Sequence, residues 1–203
     1  RYYWNYKGKH VIYIFFIIWL AIGACAFLAR TRKMVHILCA IYMGVHTVFA
    51  ALIAFGGYKT TSGQFFTFDE AGTLFYILLA IVSTFVLIHS QEYLKDDTIG
   101  NYRKYFALLM LLITSITGVY FANNIAVTWI LLETTTLCSA GIIYHRHSEQ
   151  TLEATWKYLF VCSTGIAIAY LGILLLCAAA SNSALGYDEL QQLIINGNPL
   201  YLK

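Results

Sequence analysis

Proline occurs once in this 203-residue chain, and acids and bases together make up only 11% of it. Soluble domains carry about 25% charged residues, so there are too few here to coat a water-facing core. The scarcity excludes an ordinary soluble fold and points to lipid as the main solvent. A nucleic-acid surface is excluded as well: thirteen Lys and Arg against ten Asp and Glu leave a net +3, scattered along the chain. No CxxC or other paired spacing joins the five cysteines, Cys25, Cys39, Cys138, Cys162 and Cys177, which all lie in apolar runs. They read as reduced, buried thiols rather than a disulfide framework or a metal site. Glycine-rich phosphate loops, Ser/His/Asp sets and zinc spacings are missing too. With 33 aromatic residues and no repeats, the chain is neither disordered nor collagen-like.

What is present is a series of long hydrophobic runs. A membrane-crossing helix needs about 20 mostly apolar residues, and six stretches qualify: about 10–29, 34–55, 71–89, 105–122, 125–144 and 152–180. The expected fold is therefore all-α, a polytopic transmembrane bundle of about six spans forming one domain over 1–203. No small-residue cleavage site follows the first run, so it reads as a span rather than a signal peptide. The connections are short and polar, from Arg30-Thr31-Arg32-Lys33 to the tight turn Asn123-Asn124. A polar tail, 181–203, opens a short surface helix at Asp188-Glu189-Leu190-Gln191-Gln192 and breaks it at Asn196-Gly197-Asn198-Pro199. Arg30, Arg32, Lys33, Lys95, Arg103, Lys104 and Arg146 gather on one side, against Arg1, Lys7, Lys9, Lys59 and Lys203 on the other. The positive-inside rule then puts both termini outside.

Charge inside a span needs a partner or a purpose, since insertion scales set about 2.5–3.5 kcal/mol against it at mid-helix. Glu133 stands near the middle of span five, after Trp129-Ile130-Leu131-Leu132 and before Thr134-Thr135-Thr136. It reads as an ion-relay carboxylate, the alternative being a hydrogen bond that serves assembly only. Lys157, five residues into span six, is the candidate partner. Its own alternatives are snorkelling to the surface or pairing with Glu153 at i, i+4. At 4 Å, two charges interact by about 4 kcal/mol at an effective dielectric near 20, enough to couple one charge state to the other.

Asp69 and Glu70 open span three, where a capping role suits the helix dipole. Glu92, Lys95 and Asp96-Asp97 read as a solvated loop. Two histidines on facing helices are able to ligate a haem, but His36 and His46 sit ten residues apart on one helix. His89, His145 and His147 lie at span ends, so satisfied or solvent-facing histidines are the better reading. Thr136, Glu153, His145 and Asp69 remain supporting candidates.

Asn123 to Leu176 carries a resemblance. Asn-Asn-Ile-Ala-Val-Thr-Trp, then Leu-Leu-Glu-Thr-Thr-Thr-Leu-Cys-Ser-Ala, then Leu-Glu-Ala-Thr-Trp-Lys-Tyr-Leu-Phe resembles antiporter-like proton-pumping subunits of complex I-type assemblies. The likeness is strongest to the F component of hydrogenase-4-type, group 4 membrane-bound hydrogenases. Phe68-Asp69 and Gln91-Glu92-Tyr93 add a weaker likeness.

The resemblance implies a fourteen-helix subunit with two inverted five-helix repeats, each holding a broken helix. It implies that Glu133 is the fifth-helix glutamate of charge coupling and Lys157 the sixth-helix lysine. The seventh-helix Gly-Lys…Pro segment and the second repeat have no counterpart here. The expectation is therefore the N-terminal portion of a longer subunit, or a chain completed by another. Proton or sodium translocation in the membrane arm of a redox-driven complex would follow, with other membrane and peripheral subunits as partners. The same resemblance implies a bacterial or archaeal cytoplasmic membrane (an organellar inner membrane is the alternative), no catalysis by this chain alone and no cofactor in it. A scaffold subunit without its own ion path, or a haem-binding electron carrier, stand as the competing readings.

Overall fold

The computed structural model describes residues 2–55, 65–179 and 186–187. Among the described residues six α-helices follow one another: α1 (Tyr2–Leu28), α2 (Arg32–Phe55), α3 (Glu70–Tyr93), α4 (Ile99–Phe121), α5 (Ile125–Ile143) and α6 (Glu149–Ala179). A single 3-10 turn, Tyr144–Arg146, precedes α6. Five of these helices are long and apolar enough to cross a membrane, and Ile12–Leu28 of α1 is a shorter apolar segment. The surface helix expected at Asp188 to Gln192 and its break at Asn196 to Pro199 lie outside the described residues.

Polar side chains start the helices where hydropathy alone would not. Asp69 caps α3 by accepting from the Gly72 amide at 3.1 Å, and Thr98 caps α4 by accepting from Asn101 at 3.4 Å. Asn124 caps α5 with bonds from the amides of Ala126 and Val127. Ser148 and Thr151 cap α6 reciprocally, each side-chain oxygen accepting from the other's amide at 3.1 and 2.9 Å. His147, at φ 48°, makes the left-handed turn that lets the chain reverse from α5 into α6.

Packing centres on α4, which touches α1, α2, α3 and α5. Between lipid-solvated helices there is no hydrophobic driving force, so close packing and hydrogen bonds must hold them. Trp19, Phe49, Tyr76 and Phe121 form an aromatic core between α1, α2, α3 and α4, with Trp19 fully buried. Gly118 of α4 lets α5 and α1 approach, since a Cβ there would stand 2.8 Å from Leu131 Cδ1 and 2.9 Å from Phe16 Cζ. Large apolar side chains such as Ile17, Phe85, Phe160, Val161 and Leu175 face outward, while His46, Thr114, Ser115 and Thr117 are buried. Apolar outside with polar inside is the arrangement lipid requires. α5 and α6 form the outer flank, and Thr155 is a buried side chain of α6.

At one end the chain is stitched across helices. Thr67 donates its amide to Phe121 at 2.8 Å and Asn123 donates to Phe65 at 2.7 Å, fixing the approach to α3 against the α4–α5 turn. Tyr187 donates its amide to the Asn123 carbonyl at 3.3 Å and its hydroxyl to Thr128 at 3.0 Å.

Candidate functional site

Glu133 sits half-buried on α5, and its Oε2 is buried with no hydrogen-bond partner. The threonines that follow do not supply one. Thr134 donates to the Ile130 carbonyl, Thr135 to Leu132 and Thr136 to Glu133 itself, each at 2.7–2.8 Å along the helix. The Gly118–Leu131 and Gly141–Leu108 contacts set α4 antiparallel to α5. In that register Glu133 is level with the stretch of α4 that holds Thr114, Ser115 and Thr117, all buried. A carboxyl oxygen without a donor, at the depth of buried hydroxyls, is costly in a packed membrane protein.

Lys157 does not meet it. Its Nζ lies 2.5 Å from Glu153 Oε1, and the two side chains are 72% and 65% exposed. The spacing follows from how α6 docks. Trp129 donates its indole N–H to the Ile166 carbonyl at 3.0 Å and lies 4.6 Å from the Tyr170 ring. Glu133, one turn on, is therefore level with the stretch between Cys162 and Ile166. At 1.5 Å per residue, Lys157 is displaced along the helices by about 8–13 Å. Across that gap a pair of charges interacts by about 1.3–2 kcal/mol at an effective dielectric near 20, not the 4 kcal/mol of direct contact.

The remaining candidates have structural partners. Asp69 is the α3 cap, its carbonyl accepting from Thr73 Oγ1 at 2.8 Å as well. His145 Nε2 lies 2.5 Å from Asp97 Oδ2, with the imidazole edge-on to Tyr105 at 5.0 Å. Asp97, read from the sequence as part of a solvated loop, is 38% exposed and faces His145. The same end is bound together by Arg32, which donates to the carbonyls of Lys95 and Asp97 and lies over Tyr102. Arg146 likewise donates to Tyr93 and covers its ring.

One cluster leaves no motif in the sequence. His46, expected to be satisfied or solvent-facing, is buried on α2 and stacked on Trp19 with ring centroids 4.4 Å apart. Its Nδ1 contacts the Tyr76 hydroxyl at 2.8 Å, while its Nε2 and the Trp19 indole N–H have no partner. One turn away, the Tyr42 hydroxyl contacts Thr114 Oγ1 and the Met110 carbonyl, each at 2.8 Å. His36 contacts Gln91 and Tyr102 through its two ring nitrogens. Among the described residues no three His, Cys, Asp or Glu side chains gather as a metal site.

Apolar outward faces, buried hydroxyls and helices long and apolar enough to cross a bilayer define an integral membrane protein of the polytopic α-helical class. Within that class the chain is similar to antiporter-like subunits of complex I-type assemblies. It is 28% identical over 128 residues to a hydrogenase-4 component F homolog of Methylacidiphilum infernorum, a match covering 60% of this chain and 27% of that protein. It is 24% identical over 136 residues to a putative antiporter subunit mnhA2 of Staphylococcus epidermidis, covering 66% and 17%. The fold is also that of a chain in the membrane-bound sulfane sulfur reductase, an archaeal respiratory membrane complex. That likeness has a TM-score of 0.74 at 16% identity, over 96% of this chain and 41% of the other. No family model matches. The chain thus spans about a quarter or less of the length of these two curated relatives.

Proposed function

We propose that these helices form the N-terminal part of an ion-translocating, antiporter-like subunit in the membrane arm of a redox-driven complex, with Glu133 as its ion-binding carboxyl. The observation that carries the reading is the buried, donor-free Oε2 of Glu133, level in the helix register with a hydroxyl-rich stretch of α4. A group serving only to join helices would be hydrogen-bonded to one. One that must exchange an ion is better left without a competing donor. In this reading Glu133 takes up and releases a proton or a sodium ion, and charges elsewhere in the subunit bias the exchange. Lys157 acts as a distant bias, weakened by its pairing with Glu153. The ends carrying Arg32, Lys95 and Arg146 face the cytoplasm, as the distribution of loop cations suggests.

Glu133→Gln in the assembled complex, reconstituted in vesicles with a pH- or sodium-sensitive dye, should remove most redox-driven ion uptake while the complex stays intact on a native gel. Uptake at normal stoichiometry would refute the assignment. The exposed Lys157–Glu153 pair favours a second reading, a scaffold without an ion path. In that case Glu133→Gln leaves uptake unchanged and Glu133→Leu loosens assembly.

A further inference from the structure

An open groove of about 440 Å³ lies between α1 and α4, next to the α5 contact at Gly141, which is made by Leu108. Its walls are Leu20, Gly23 and Phe27 on α1 and Ala107, Leu108 and Leu111 on α4, with the fully buried Trp19 at its back. Leu20 to Phe27 makes it about 10 Å long, and no acid lines it. One end closes on Lys104, which is exposed. The Gly23–Met110 and Phe16–Gly118 approaches together set the antiparallel register of α1 and α4. That register puts Arg30, two residues beyond α1, level with Arg103 and Lys104. Among the described residues neither Arg30 nor Lys104 has an ion pair, and Arg103 Nε is buried without an acceptor. Of the neighbouring cations, Arg32 is engaged on loop carbonyls and Arg146 on Tyr93, and Lys33 does not line the groove.

We propose that this groove is a binding site for an anionic phospholipid, its acyl chain lying along α1 and α4 and its phosphodiester held by Lys104 with Arg30. The charge pattern selects that occupant: an apolar slot ending in unpaired cations at the helix ends matches a chain ending in a phosphate. Basic pockets between helix ends are the usual place where acidic headgroups settle. A helix from a partner protein would fill the slot but would leave the cations at its mouth unanswered. The site is separate from Glu133 and does not depend on its role.

The test uses the protein in its native assembly, exchanged into nanodiscs of phosphatidylglycerol or phosphatidylcholine. Lipids that survive detergent extraction are counted by native mass spectrometry. One phosphatidylglycerol per copy should be retained in preference to phosphatidylcholine. Lys104→Gln should weaken that retention about fivefold, and Ala24→Phe, which fills the slot, should abolish it. Lys33→Gln, on the same end but off the groove, should leave it unchanged. Equal retention of the two lipids, or equal retention by the Lys104→Gln variant, overturns the proposal. So does a polypeptide helix occupying the groove in a structure of the assembly.

Discussion

Gly118→Ala offers a sharp test of the packing that holds Glu133 in place. The added methyl would stand 2.8 Å from Leu131 Cδ1 and 2.9 Å from Phe16 Cζ, both closer than carbon atoms rest. Leu131 is the end of a flexible side chain, whereas Phe16 is held between Phe66 at 5.2 Å and Trp19 at 5.6 Å. The α5 side therefore yields first, and overpacking of this kind costs about 1–3 kcal/mol. Leu131→Ala alone should destabilise as well, by removing packing from a half-buried position. Combined, the two changes should be less harmful than their sum, because the deleted isobutyl group leaves room for the new methyl. Relief stays incomplete since Phe16 does not move, so the expected coupling is about 1 kcal/mol. Reversible unfolding in mixed micelles, followed by SDS titration over the full cycle of variants, measures it. Additivity within about 0.5 kcal/mol would mean that α4 and α5 do not touch as described. The contact lies two residues from Glu133, so the same shift should lower ion uptake in the assembled complex.

Trp129→Phe removes the indole bond to the Ile166 carbonyl but keeps the ring beside Tyr170. Interhelical hydrogen bonds in membranes contribute about 0.6 kcal/mol and up to about 1.7, so unfolding should shift by about that amount and α6 should become more accessible to protease. No shift would show that α6 docks elsewhere. Asp97→Asn takes away the charge facing His145. With Asp97 38% exposed, the loss should be at most about 1 kcal/mol, and faster amide exchange across Tyr144 to His147 should report it. Unchanged exchange there would exclude Asp97 as the tether of the α5–α6 turn.

Hydropathy located the spans because it measures the solvent, and lipid leaves a plain mark on sequence. It located their ends less well. α3 runs to Tyr93, four residues past His89, and α4 begins at Ile99, six before Tyr105. A helix stops where its caps and turns allow, at Thr98 and Leu94, not where the bilayer does. Glu133 was visible as a charge among apolar residues. Its separation from Lys157 was not, because the Trp129–Ile166 bond that sets the α5–α6 register is a contact between helices. The His46 cluster escaped for the same reason: one histidine among apolar residues reveals neither Trp19 nor Tyr76. The pairing of His145 with Asp97, 48 positions apart, leaves no local signal in either segment.

Ser115 and Thr117 on α4 and Ser139 on α5 each give their hydroxyl hydrogen to a carbonyl one turn back, at 2.8–2.9 Å. With the hydrogen committed, what such a group still offers is lone pairs. A positive species passing these oxygens would find them ready to solvate it, whereas a halide would find no hydrogen to hold it. In the ion-translocating role proposed above, discrimination by sign of charge would begin with these backbone bonds, before any ionisable group takes part.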